Sequence, residues 1–159
     1  MSSSVQIHPL MRVPPPLLFV LTFFAGVGLQ HLLPFPAPSA EVAHVARIAG
    51  TGLLACGILL ALSCITLFLL VRTTIIPHRT ASKLVNRGPY RLTRNPMYVS
   101  LVLAFLGVAG ILALLWPILL LPVPVALVHR MVIPFEEARL RDAFGDDFES
   151  YCARVRRWL

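Results

Sequence analysis

The sequence predicts an all-α, polytopic membrane protein of about four transmembrane helices, including a C-terminal helical hairpin, with short cytoplasmic amphipathic helices beside it. Three observations predict this. Hydrophobic residues make up 57% of the 159 and mean hydropathy is +0.80, far above the usual soluble range. Residues 13–40, 48–71 and 95–129 contain no Asp, Glu, Lys or Arg, and each run exceeds the roughly 20 apolar residues that a crossing helix needs. The basic residues bunch beside these runs, so the net charge of +7 reads as topology and attraction to anionic headgroups, with no nucleic-acid partner. The length suits a single domain over 1–159.

The first apolar run places a helix near 15–33. A secretory leader is the competing reading, but the preceding residues are weakly basic, Pro38 fits a cleavage site poorly, and the run is long enough to span. A retained first helix is therefore expected. Pro34, Pro36 and Pro38 then force a loop over 34–46, which holds Glu41, the first acid in the chain. The second helix is expected near 48–71. It contains Gly50-Thr51-Gly52, which formally begins a dinucleotide fingerprint but lacks the strand and the βαβ unit that would give it meaning. Small residues in a membrane helix point instead to close helix packing.

Arg72, Arg79, Lys83, Arg87, Arg91 and Arg94 follow with no acid among them, which makes that loop cytoplasmic by the positive-inside rule. The run 95–129 would be about 52 Å as one helix, too long for one crossing and slightly short for two full ones. Pro117, Pro122 and Pro124 argue against one straight helix, and Trp116-Pro117 is a plausible turn. Helices near 98–115 and 117–133 would then form a tight hairpin. It returns the chain to the face it left, bringing Arg94-Asn95 near His129-Arg130, and puts both termini on the cytoplasmic side, where 130–159 holds six arginines.

After Pro134 a separate amphipathic helix is expected, with Glu136 and Glu137 in its first turn, a Glu137–Arg141 pair one turn apart, and Gly145 as its stop. Asp146 would cap a last helix burying Phe148, Tyr151, Cys152 and Val155, followed by an interfacial Arg156-Arg157-Trp158-Leu159 tail. The three cysteines and five histidines show neither a disulfide framework nor metal-ligand spacing, so no metal is expected.

The longest polar stretch, 82–98, carries Gly88-Pro89-Tyr90-Arg91 and Arg94-Asn95-Pro96-Met97-Tyr98 behind Leu84-Val85. A second block runs Glu136-Glu137, Leu140, Phe144-Gly145, Phe148, Tyr151, Arg154-Val155. In this order the two blocks resemble the signature of the membrane methyltransferases that include isoprenylcysteine carboxyl methyltransferase and the small phospholipid N-methyltransferases. The resemblance covers roughly the C-terminal half. It implies S-adenosylmethionine as methyl donor, S-adenosylhomocysteine as product, and a lipophilic acceptor at the membrane, with cofactor segments over 82–98 and 130–159.

Under that resemblance the cofactor-binding residues are Leu84, Val85, Gly88, Pro89, Tyr90, Arg94, Asn95, Pro96, Tyr98, Glu136 and Glu137. Backbone near Leu84, Val85, Gly88 and Pro89 approaches adenosine, Tyr90 and Tyr98 offer aromatic faces and hydroxyls, and Arg94 grips a carboxylate. A glutamate meets the ammonium or a ribose hydroxyl. Glu137 and Arg130 are the catalytic candidates, Arg130 by orienting the acceptor. By residue pattern alone the same glutamates serve as helix-start acids, Arg91, Arg94 and Arg130 as headgroup or boundary residues, and the tyrosines as an interfacial belt. Asn95 stands where many carboxyl methyltransferases of the family carry His, and an amide cannot titrate. That leaves three readings: methyl transfer of the isoprenylcysteine carboxyl methyltransferase kind, phospholipid-headgroup N-methylation, or a non-catalytic membrane interaction protein.

Overall fold

The computed structural model describes residues 14–71 and 84–159. Met1 to Arg12, and Arg72, His78, Arg79, Ser82 and Lys83 of the basic loop, lie outside the described residues. The described residues form helices joined by short loops and turns, with no strand among them.

Helix α1 spans Pro15–Leu32, with proline in the first turn, where the missing N–H costs nothing. Helix α2 spans Ala40–Val71 and so begins well before the expected position 48. Ser39 explains the difference: its Oγ accepts the Val42 N–H at 3.3 Å and its carbonyl accepts the Ala43 N–H. Glu41 and Arg47 bound the apolar run, not the helix. With 32 residues, α2 is about 48 Å long and outruns a hydrocarbon core of about 30 Å.

Helix α3, Pro96–Ile111, also ends earlier than expected. The chain reverses at Leu112 to Leu114 through Ala113, whose φ of 51° is in the left-handed region. Pro117 is therefore not the break; it sits in the opening turns of the next helix.

That helix, α4, runs as one unit from Leu115 to Phe144, apolar in its first part, so no separate helix starts at Pro134. Pro134 has no N–H to donate and would crowd a regular preceding turn. A π turn over Val128–Val132, in which Ile133 N bonds back to Val128 O, widens the helix just before it and lets the axis continue. Gly145, at φ 48°, then ends α4, its N–H bonded to Arg141 O at 2.8 Å. Helix α5 covers Asp146–Arg154. Asp146 is its first residue and makes no side-chain cap, contrary to expectation. The expected Glu137–Arg141 pair is also replaced: Arg141 pairs with Glu149 of α5, and Glu137 turns inward.

Glycines set the closest helix contacts. A Cβ on Gly107 of α3 would stand 2.6 Å from Leu54 N of α2, and one on Gly50 would stand 2.7 Å from Gly107 O. These backbones touch, which is the packing that lipid-embedded helices use in place of a hydrophobic drive. Gly26 of α1 meets Pro117 of α4 in the same way, at 2.7 Å. Thus α3 packs chiefly on α2, and α4 on α1. Phe19 and Phe23 close edge-on against Phe105, at 6.2 and 5.2 Å between centroids, and Leu121, Val128 and Ile133 complete the core.

At one end of the bundle Trp116 Nε1 donates to Leu33 O at 2.7 Å and its ring meets Phe35. The α1–α2 loop and the α3–α4 turn therefore share that end. At the other end, the close of α2, the 84–95 segment, the later turns of α4 and helix α5 converge. Three helices, Pro15–Leu32, Ala40–Val71 and Leu115–Phe144, are long and apolar enough to cross a membrane, and Pro96–Ile111 is a shorter apolar helix. The fold is that of an all-α polytopic membrane protein.

Candidate functional site

The site is built where the two polar blocks meet. Gly88, at φ 56°, opens the 3-10 turn Gly88–Arg91, a backbone state that a side chain resists. The Tyr90 ring stands edge-on to Phe68 of α2 at 5.7 Å, and Tyr90 O accepts the Tyr151 hydroxyl of α5 at 2.7 Å. Burial pushes the Tyr151 phenol up to about 12, with the Arg94 charge pulling the other way. Tyr151 thus keeps its proton and its donor role at neutral pH. Leu84 and Val85 are half-buried beside this turn.

Between the turn and α3 stand Thr93, Arg94 and Asn95. Each is tied to the segment after α5: Arg94 N donates to Arg156 O at 2.9 Å, Thr93 Oγ1 to Arg157 O at 3.0 Å, and Asn95 Nδ2 to Arg157 O at 2.9 Å. Pro96 is buried at the start of α3. The Arg94 side chain then reaches Glu137 of α4, Nη2 to Oε1 at 3.3 Å. Glu137 is also gripped in a two-point fork by Arg157, Nε to Oε1 at 3.0 Å and Nη2 to Oε2 at 2.6 Å. Two guanidinium groups therefore share one largely buried carboxylate, and the cluster keeps one net positive charge. Arg94 Nε is buried without a hydrogen-bond partner.

Glu136, one residue earlier on α4, faces different company. Its Oε1 accepts the Tyr98 hydroxyl at 2.8 Å, and the Tyr90 hydroxyl and the Cys64 thiol of α2 lie in the same electrostatic neighbourhood. Adjacent positions on a helix point about 100° apart, so the two glutamates serve different surroundings.

Of the residues expected from sequence, Arg94, Asn95 and Glu137 meet in one cluster around Arg157, Tyr98 and Glu136 form a separate pair, and Gly88, Pro89 and Tyr90 form the turn before them. Arg130 lies apart: it is exposed in the π turn and has no side-chain partner among the described residues. Three participants were not picked from sequence. Arg157 reads there as one more headgroup arginine, Thr93 carries no pattern of its own, and Trp158, read as interfacial, donates Nε1 to Nδ1 of His129 at 3.0 Å. The only signal for Arg157 is its placement just beyond a block that already matched. Among the described residues no group of His, Cys, Asp and Glu is arranged to hold a metal ion.

Beside the turn, Gly88 and Pro89 join Leu59, Leu62, Ser63 and Thr66 of α2 in lining an open, mostly apolar groove of about 380 Å³. Helices long and apolar enough to cross a bilayer thus carry, at one end, a tyrosine-bearing turn with paired arginine and glutamate side chains beside it. Residues 45–147 match the family model for phospholipid methyltransferases, and the chain belongs to that family of integral membrane methyltransferases. No curated protein and no solved structure matches the chain.

Proposed function

We propose that the protein transfers a methyl group from S-adenosylmethionine to a lipophilic acceptor held in the membrane. One observation carries the reading: Arg94 and Glu137, from separate blocks, meet in a buried cluster that retains positive charge and an unpartnered donor, Arg94 Nε. An amino-acid carboxylate is a ligand group that accepts strongly from such a guanidinium. Glu136, held by Tyr98, supplies the negative partner for the ammonium. The turn at Gly88 to Tyr90 offers backbone and an aromatic face for adenine. The residues present therefore fit this donor, which when bound supplies a methyl carried on a sulfonium.

The chain's own contribution is positioning. Arg94 and Glu136 fix the two ends of a zwitterion and Tyr98 orients Glu136, so that approach geometry provides much of the rate. The acceptor lies along the apolar helices with its reactive atom at their polar end, and Arg130 meets its headgroup. Positive-inside asymmetry puts this end at the cytoplasmic face, where the donor is dissolved.

Two acceptors remain in play, the carboxylate of a prenylated cysteine and the amine of a phospholipid headgroup. The match to phospholipid methyltransferases and the amide at Asn95, which is engaged with Arg157 O, favour the amine. Incubating the purified protein with methyl-labelled donor tests this, in vesicles containing either phosphatidylethanolamine or a prenylcysteine analogue. Label in the amine headgroup is the expected result, and label in an alkali-labile ester assigns the carboxylate. No transfer together with no binding of S-adenosylhomocysteine would return the protein to a non-catalytic membrane role.

A further inference from the structure

The chain after α5 bonds to the site from both sides. Arg156 O and Arg157 O take the donors of Thr93, Arg94 and Asn95, the Arg157 guanidinium takes Glu137, and Trp158 takes His129. It is thereby bonded both to the residues before α3 and to α4, and the ends of these two elements cannot shift relative to each other without breaking it. We infer that this segment is a clasp that shapes the donor pocket, with Arg157 as its positioning residue.

The geometry says how Arg157 would act. Both oxygens of Glu137 are engaged by the Arg157 fork, while Arg94 touches only one of them, at 3.3 Å. A bidentate guanidinium–carboxylate pair is the stronger arrangement, so Glu137 is satisfied by Arg157. Arg94 keeps donors to spare, among them the unpartnered Nε. Without the Arg157 side chain, Glu137 has two oxygens to satisfy and Arg94 is the cation at hand. Arg94 then closes on Glu137 and is withdrawn from an anionic ligand. Arg157 touches no ligand in this scheme; it determines whether Arg94 is free to.

The inference rests on the donor reading above, and two ligands separate them: S-adenosylhomocysteine, which has the amino-acid tail, and methylthioadenosine, which lacks it. Both are titrated calorimetrically into detergent-solubilised full-length wild type, Arg157→Ala and Arg157→Lys, beside thermal melts. Arg157→Ala is expected to weaken S-adenosylhomocysteine about tenfold, the scale of one charge-assisted hydrogen bond, and to leave methylthioadenosine unchanged. Arg157→Lys, a cation without the planar fork, should fall between. If Arg157→Ala does not fold, the lysine variant carries the test with the same selectivity expected. Equal weakening of both ligands, or no weakening of either, would overturn the clasp while wild-type binding leaves the donor reading intact. A wild type that binds neither ligand overturns both.

Discussion

Arg94 and Glu137 stand in contact at 3.3 Å, one just before α3 and the other past the π turn of α4. Two apolar helices separate them in the chain, and the contact exists because the reversal at Ala113 returns α4 to the membrane face that α3 left. The side chains are 15% and 10% exposed, so their attraction is little screened.

The first prediction concerns Arg94. If it grips the donor's carboxylate, Arg94→Ala should weaken S-adenosylhomocysteine by about 1.5–3 kcal/mol, the range for a lost charge-assisted bond. Combined with Glu136→Gln, the loss should be less than the sum, because either change already misplaces the same ligand tail. Calorimetric titration of the two single variants and the double measures this. Strict additivity would assign the two residues to separate tasks.

A second prediction separates the two glutamates. Glu137→Ala leaves two guanidinium groups without their shared carboxylate, and breaking a buried pair from one side costs about 3 kcal/mol or more. It should lower the melting temperature clearly. Glu136→Gln keeps a group that can still accept the Tyr98 hydroxyl, so it should melt like wild type and lose affinity for S-adenosylhomocysteine. Parallel melts and titrations check both. Wild-type stability in Glu137→Ala would mean that the arginines find water or other partners instead.

The helices and the two blocks were legible in the sequence because lipid imposes a simple rule: charge-free length makes a span. Their ends were less legible. Ser39 starts α2 early by a local bond, Ala113 turns the chain without any turn residue to announce it, and the π turn before Pro134 absorbs a proline that should have ended a helix. At the site, Arg94 and Glu137 were legible as members of two motifs expected to meet at one ligand, whereas their mutual contact and its third member were not. Arg157 belongs to the cluster through a fold-back after Arg154, and no periodicity encodes where a short tail will lie.

The third prediction is of sidedness. The end of the bundle that carries Gly88, Arg94 and Glu137 should face the cytoplasm, since the basic residues gather there. In a background with Cys56, Cys64 and Cys152 replaced, Asn86→Cys should react with an impermeant maleimide only after cells are opened. Pro36→Cys, at the opposite end, should react in intact cells. Labelling of position 86 from outside would invert the topology and move the donor site to the wrong compartment.

The last prediction turns on two glycines of α2 that the sequence presents as near neighbours, Gly50 and Gly52. A Cβ at position 50 would stand 2.7 Å from both Gly107 O and Ile111 N, backbone atoms of α3 that cannot swing away. At position 52 nothing lies within 4 Å, so that face looks onto lipid. Gly50→Ala must therefore push α2 and α3 apart, at a cost of about 1–3 kcal/mol for overpacking. Gly52→Ala should be neutral or stabilising by about 0.5 kcal/mol, because alanine is the better helix former. Position 107 sits on the other side of the same contact, 2.6 Å from Leu54 N, and Gly107→Ala should behave like Gly50→Ala. The pair 50 and 107 should also be non-additive, since one substitution already opens the gap the other needs. Thermal unfolding in detergent of the three single variants and the 50/107 double would show this ordering. If Gly50→Ala and Gly52→Ala were equally stable, the close α2–α3 approach would be wrong.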